Sequence, residues 1–256
     1  MVLALLAVSC GGKKNVTQYM TSREHFQYAM KFFQKKHYLK AQEEFSLITY
    51  KYSGSDVADD AQYYLAECYF EQKDYVSAAS EYERVVSSYP KSEFVEKSMY
   101  RLVICYDELS PGFALDQKFT YEALKAVQNY LDLYPQSERR ADVEKIHEAI
   151  KTKLARKQFE SANIYRKLSE YEAAIVYYDQ VITEFYDSKF SSPSKFWKGY
   201  CYFKLKEFQK ASLILKRFAD EKDKDMELAE EAQKILKEID ELQKKQGGTK
   251  LSQEGK

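Results

Sequence analysis

A period of 37 residues constrains this chain more than any other feature. The small and aromatic residues Ala66, Tyr69, Tyr75, Ala78 and Tyr82 have counterparts 37 positions earlier in Ala29, Phe32, Tyr38, Ala41 and Phe45. Forward from them, Val103 and Tyr106 keep the register. It then slips by eight and resumes at Ala123 and Pro135, which stand twelve apart as Ala78 and Pro90 do. Two further copies carry Ala162, Tyr165, Tyr171, Ala174 and Tyr178, then Gly199, Tyr202, Phe208, Ala211 and Leu215. A unit of this length cannot bury its apolar face alone; it buries it against the next copy, so the period demands a stacked array.

The units are helical. Leu65, Cys68 and Tyr69 recur at i, i+3 and i+4, the spacing of one helix face. The chain has 8 glycines and 4 prolines in 256 residues, far too few for the tight turns of a β-sandwich or barrel. Counted from Asp59 as position 1, the copy starting there matches a tetratricopeptide repeat. Ala66 and Ala78 fall at positions 8 and 20, where small residues let two helices approach. Tyr69, Tyr75 and Tyr82 fall at 11, 17 and 24, around the crossing. The expected fold is all-α: a right-handed superhelical solenoid of about five tetratricopeptide-like helix pairs with a C-terminal capping helix. Residues 22–136 hold repeats 1–3, with an insertion at 107–119 around Pro111-Gly112. Residues 137–219 hold an extra linker helix, over Ser137–Ile150, and repeats 4–5. Residues 220–245 read as the capping helix, with Met226, Ala229, Ala232, Leu236, Ile239 and Leu242 as its apolar stripe; 246–256 read as a disordered polar tail.

The inventory of chemistry is sparse. Forty basic and forty acidic side chains cancel, which removes the basic excess that nucleic-acid binding needs. His25, His37 and His147 have no metal-ligand spacing to one another or to cysteine or carboxylate, and read as solvated or partly buried helix residues. No nucleophile elbow, phosphate loop or HExxH is present, so a non-enzymatic protein without metal is expected. Cys68, Cys105 and Cys201 all occupy position 10. Neighbouring helices lie ~8–10 Å apart, beyond the ~7 Å Cα limit of a disulfide, so the three read as small buried thiols.

The first helices of such repeats line a concave groove, with positions 2, 5, 9, 12 and 13 facing it. Arg23, Phe26, Phe33, Tyr63, Phe70, Lys97 and Tyr100 are therefore the candidate substrate-groove residues of repeats 1–3. Position 5 is aromatic in every copy, which favours packing there. In repeat 4 the same positions include Arg156, Arg166 and Lys167, a basic patch suited to an acidic partner.

The start of the chain resembles the end of a bacterial lipoprotein signal: an apolar run, then the lipobox-like Ala7-Val8-Ser9-Cys10 and the tether Gly11-Gly12-Lys13-Lys14-Asn15. The apolar run is too short to span a bilayer. Residues 1–9 read as a signal remnant, 10–21 as a lipidated tether, and Cys10 as the attachment point of a covalent diacylglycerol and palmitate. No other cofactor is expected.

A lipobox followed by five such repeats resembles the BamD (YfiO) family of outer-membrane assembly lipoproteins. The stretch Leu115-Asp-Gln-Lys-Phe-Thr-Tyr-Glu-Ala-Leu, running to Asn129-Tyr-Leu-Asp-Leu-Tyr-Pro-Gln-Ser137, is similar to that family's third-repeat insertion. Leu154-Ala-Arg-Lys and Ala162-Asn-Ile-Tyr165 are similar to its fourth repeat. The resemblance covers about Ser22 to Phe218. It implies a lipid-anchored protein on the periplasmic face of the outer membrane, a scaffold that helps the β-barrel insertase BamA recognise and insert barrel proteins. It also implies that N-terminal repeats meet the C-terminal segment of an unfolded barrel protein and C-terminal repeats meet BamA. The alternatives are another periplasmic repeat adaptor of the Tol-Pal-associated type and a SusD-like glycan-binding lipoprotein.

Overall fold

A computed structural model describes residues 16–222 and 225–253, and among these every regular element is helical. Eleven α-helices follow a short 3-10 turn: α1 Ser22–Gln34, α2 Tyr38–Lys51, α3 Ala58–Glu71, α4 Tyr75–Ser88, α5 Val95–Leu109, α6 Lys118–Leu133, α7 Arg140–Lys167, α8 Tyr171–Glu184, α9 Ser191–Lys204, α10 Phe208–Ala219 and α11 Met226–Gln253. Residues 1–15, with the signal remnant and Cys10, lie outside the described residues.

Local chemistry sets the helix ends. Thr21 and Glu24 form a reciprocal capping box on α1, with the Thr21 amide donating to Glu24 Oε2 at 2.8 Å. Asp74 accepts the Ser77 amide at 3.2 Å and starts α4. Between the two helices of a repeat the chain makes the same sharp turn four times. Lys36, Lys73, Ser169 and Lys206 all stand at position 15, each with φ of 59 to 63° in the left-handed region. A side chain there costs energy that glycine avoids, so the tight interhelical turn is imposed by the packing on either side of it.

The chain divides into two compact units, one ending at Cys105 and one beginning at Tyr106. In the first, α1 to α3 pack around Ala29, Ala41, Phe45, Ile48, Ala61, Leu65 and Cys68, and α4 packs on α3. In the second, α8 closes on α7 and α9 around Ala162, Ala174, Ile175, Tyr178 and Cys201. Further on, α10 and α11 close around Phe196, Ala211, Leu215, Phe218, Ala232 and Ile239. Alanines at positions 8 and 20 are fully buried in repeats 1, 2 and 4, as the period requires. Buried rings such as Phe45, Tyr82 and Tyr178 each contribute about 2–3 kcal/mol by leaving water.

Three features differ from the sequence reading. The linker helix does not stand alone: its residues continue into repeat 4 as the single 28-residue α7. Val143 and Ile150 in its first half are buried, as are Leu154, Ala155 and Ala162 further along. Second, α11 runs to Gln253, so residues 246–253, read as a disordered tail, are helical. Third, His25 is not a solvated helix residue. It is buried, its Nε2 lies 2.8 Å from Glu44 Oε2, and its ring meets Tyr52 edge-on at 6.1 Å. The partner is 19 residues away on another helix, which periodicity along one helix cannot reveal. The three position-10 cysteines are buried free thiols.

The insertion of repeat 3 is a knitted loop. Gln117 Nε2 donates to the carbonyls of Gly112 at 3.0 Å and Leu115 at 2.9 Å, and Thr120 donates to Gln117 Oε1 at 2.8 Å. Lys153 and Lys157 of α7 reach back to Ser110 Oγ and the Leu115 carbonyl, each at 2.8 Å.

Candidate functional site

Glu67 organises the candidate surface of the first unit. At position 9 of repeat 2 its side chain is buried, and a buried carboxylate must be paired and fully hydrogen-bonded. Tyr82, at position 24, donates its hydroxyl to Glu67 Oε1 at 2.5 Å. Arg101, one repeat on, grips both carboxylate oxygens, Nε to Oε1 at 2.8 Å and a terminal nitrogen to Oε2 at 2.9 Å. Burial works against the Arg101 charge, but the Glu67 carboxylate outweighs it and raises the guanidinium further above its ordinary value. Burial, then Glu67, likewise lifts Tyr63 and Tyr82 well above the usual phenol range, so both stay neutral donors.

Aromatic rings surround this ion pair. The Arg101 guanidinium lies 4.2 Å over the Phe70 ring, which meets Tyr75 at 5.5 Å. Tyr63 stacks on Phe94 with centroids 4.4 Å apart, and Lys97 Nζ stands 4.8 Å over the other ring of that pair, Phe94. Tyr63, Phe70, Lys97 and Tyr100 are all half-buried. The structure thus gathers Tyr63, Phe70 and Lys97 around Arg101, Glu67 and Phe94. Arg101 and Phe94 were missed because neither sits at a groove position of the repeat; only a charge one turn from position 9 hinted at Arg101.

The repeat 1 candidates are differently placed. Phe26 and Phe33 are partly buried against the first unit's core, within 5.7 Å and 6.4 Å of Phe45 and 5.9 Å and 5.2 Å of Tyr64. Arg23 is exposed and already engaged by Asp56, Nε to Oδ2 at 2.6 Å.

In the second unit the basic residues of repeat 4 sit on aromatic faces. The Arg156 guanidinium lies 4.0 Å over Phe113 of the insertion loop. That of Arg166 lies 3.7 Å over Trp197 and donates to the Tyr178 hydroxyl at 3.2 Å. Tyr178 in turn donates to Asn163 at 2.7 Å, so positions 24 and 9 are bonded here as in repeat 2. Lys167 is exposed at the end of α7. The planar, permanently charged guanidinium is suited both to stacking and to carboxylate recognition.

Among the described residues no group of three or more His, Cys, Asp or Glu is placed to hold a metal ion. No described helix is long and apolar enough to cross a membrane.

The YfiO family, described as outer membrane lipoprotein, matches residues 18–194. No curated protein matches the chain in sequence. Solved structures with similar folds include the TPR2AB-domain:pHSP90 complex of yeast Sti1, at 15% identity and TM-score 0.44, covering 85% of this chain and 84% of that one. A thermophilic TPR protein of Thermus thermophilus is similar at 13% identity and TM-score 0.36, covering 84% and 99%.

Proposed function

The chain belongs to the YfiO family of outer membrane lipoproteins, and from that premise we propose that it is a non-enzymatic scaffold of β-barrel assembly at the periplasmic face of the outer membrane. The observation that carries this reading is the family match across residues 18–194, which takes in repeats 1 to 4 with the insertion and reaches into α9. Cys10 carries the lipid anchor in this reading. The first unit receives the extended C-terminal segment of an unfolded barrel protein, and the second unit holds a BamA-like insertase.

The surface around Arg101 supports the substrate role. Phe70 and Tyr63 offer aromatic area at low side-chain entropy cost, and each is already fixed by a neighbour, Phe70 by Arg101 and Tyr63 by the buried Phe94. Lys97 is the better placed cation for a terminal carboxylate, because Arg23 is taken by Asp56. Phe26 and Phe33, half-buried like Tyr63 and Phe70, pack partly on the core and extend this aromatic surface into repeat 1. On the second unit, Arg156, Arg166 and Lys167 supply the positive face for the insertase, the two arginines held in place by Phe113 and Trp197. Solubilise native membranes containing a tagged full-length chain and identify what co-purifies. A β-barrel insertase should be recovered, and reversing Arg156, Arg166 and Lys167 together should release it with helicity unchanged. Recovery of a Tol-Pal component or a glycan transporter instead would replace this reading with that one.

A further inference from the structure

Position 10 of the repeat is a contact position. Cys68 shares its core with Ala41 and Phe45 of α2, and Cys201 shares its core with Ala174, Ile175 and Tyr178 of α8. In both, the second helix of the preceding repeat covers the residue. Repeat 4 has Ile164 at this position, and Ile164 is 58% exposed. Leu168, one turn further, is 66% exposed.

The cause lies in the double length of α7. Its first half takes the packing that a first helix normally makes with the helix before it, and there Val143 and Ile150 are buried. Its second half packs on α8 through Ala162. The loop before α6 crosses α7 at Lys153 and Lys157, where their amines bond Ser110 and the Leu115 carbonyl. Beyond that crossing, the face carrying Ile164 and Leu168 keeps the apolar character of a covered position and stays open to solvent. Leu115, whose carbonyl Lys157 bonds, is 63% exposed.

We propose that this face of α7, from Lys157 to Leu168, receives an α-helix of a partner protein in the place where a preceding repeat's second helix would lie. The repeat itself specifies the occupant's chemistry. The covering helices α2 and α8 present a small residue and, four positions on, an aromatic one: Ala41 and Phe45, Ala174 and Tyr178. The partner helix is therefore amphipathic, with a small residue set against Ile164 and a large apolar residue one turn along. Its polar rim is acidic, since the charged residues flanking the strip are Lys157 and Lys167 against the single carboxylate Glu160. Helix-in-groove docking of this kind takes its affinity from a few apolar anchors at i and i+4. The face borders the proposed insertase surface at Lys167, and the two arginines of that surface are stacked on Phe113 and Trp197. The inference stands whether or not the partner is a barrel insertase.

The probe is a hydrocarbon-stapled, fluorescent peptide with the sequence of residues 171–184, which carries Ala174 and Tyr178 and three acidic residues with no basic one. It is titrated into the full chain in the Cys10→Ala form and followed by anisotropy. Micromolar binding is expected, weakened at least roughly tenfold in Ile164→Asp and in Leu168→Asp. Both side chains are exposed, so circular dichroism should be unchanged; Ile164→Ser is the milder variant should an aspartate disturb α7. A wild-type chain that does not bind the peptide, or variants that bind it as tightly as wild type, would overturn the proposal.

Discussion

Arg101 and Glu67 face each other across 34 residues of sequence, joined by two hydrogen bonds of 2.8 and 2.9 Å. Glu67 is buried and Arg101 is the only cation bonded to it among the described side chains, so the pair ties repeat 3 to repeat 2 by a charge that has nowhere else to go. Arg101→Ala leaves a buried carboxylate held only by the hydroxyls of Tyr82 and Tyr63. The expected loss is about 2–4 kcal/mol, read by denaturant unfolding. Arg23→Ala removes an exposed, solvent-screened pair and should leave the unfolding midpoint nearly unchanged. Equal effects of the two substitutions would show that Glu67 is solvated.

The buried Glu44 carboxylate gives the first unit a dependence on acid. Burial pushes its titration up, but hydrogen bonds from Lys40 and His25 outweigh this and hold it below the ordinary carboxylate value. A depressed folded value means that the stabilisation is present above the unfolded carboxylate range and lost as pH falls through the folded value. Unfolding measured from neutral pH down to strong acid should therefore show a falling limb that is flatter in Glu44→Gln. An identical limb in the variant would assign the acid sensitivity elsewhere.

Gly199 occupies position 8 of repeat 5, where the other repeats have alanine or valine. A Cβ added there would lie 2.7 Å from Cγ and Cδ2 of Leu215, which is fully buried. Overpacking of this kind costs about 1–3 kcal/mol, against roughly 0.5–1 kcal/mol gained by replacing a helical glycine. Gly199→Ala should lower the melting temperature by roughly 2–4 °C, the equivalent of about 1 kcal/mol. Adding Leu215→Val in the same chain should recover part of the loss.

The fold was readable because its determinants repeat. Position 20 is alanine in every copy and position 8 is alanine or glycine in all but repeat 3, for one packing reason, so their period exposes the helix pairs without any knowledge of contacts. What could not be read depends on partners distant in sequence. Glu67 stands at position 9, and nothing in its own helix shows that Tyr82 and Arg101 close on it. His25 read as a solvated or partly buried helix residue, and its pairing with Glu44 takes it fully into the interior. Phe26 and Phe33 satisfied the groove positions by number, yet Phe45 and Tyr64 draw both rings partly into the core. The exposure of Ile164 was hidden for the opposite reason. The repeat rule says the position is covered, and only the length of α7 shows that the covering helix lies elsewhere.

Thiol chemistry tests the packing at position 10 directly. Burial pushes the Cys68 thiol up to about 12, and burial likewise pushes the Cys201 thiol up to about 12. At pH 8 both are protonated and enclosed, so in the folded Cys10→Ala chain neither should react with a thiol reagent within minutes. Under denaturant without reductant, Cys68, Cys105 and Cys201 should all react. Fewer than three reactive thiols would reveal a disulfide that the free, buried cysteines exclude.

The central claim is that this scaffold serves the assembly of outer-membrane β-barrels. Place the gene under a repressible promoter, deplete the protein, and follow outer-membrane barrel proteins by the shift in gel mobility between their folded and heat-unfolded forms. The account predicts that folded barrels fall and unfolded barrel chains accumulate while lipid-anchored proteins of the same membrane keep their levels. Barrel proteins that continue to fold at the normal rate after the scaffold is gone would contradict it.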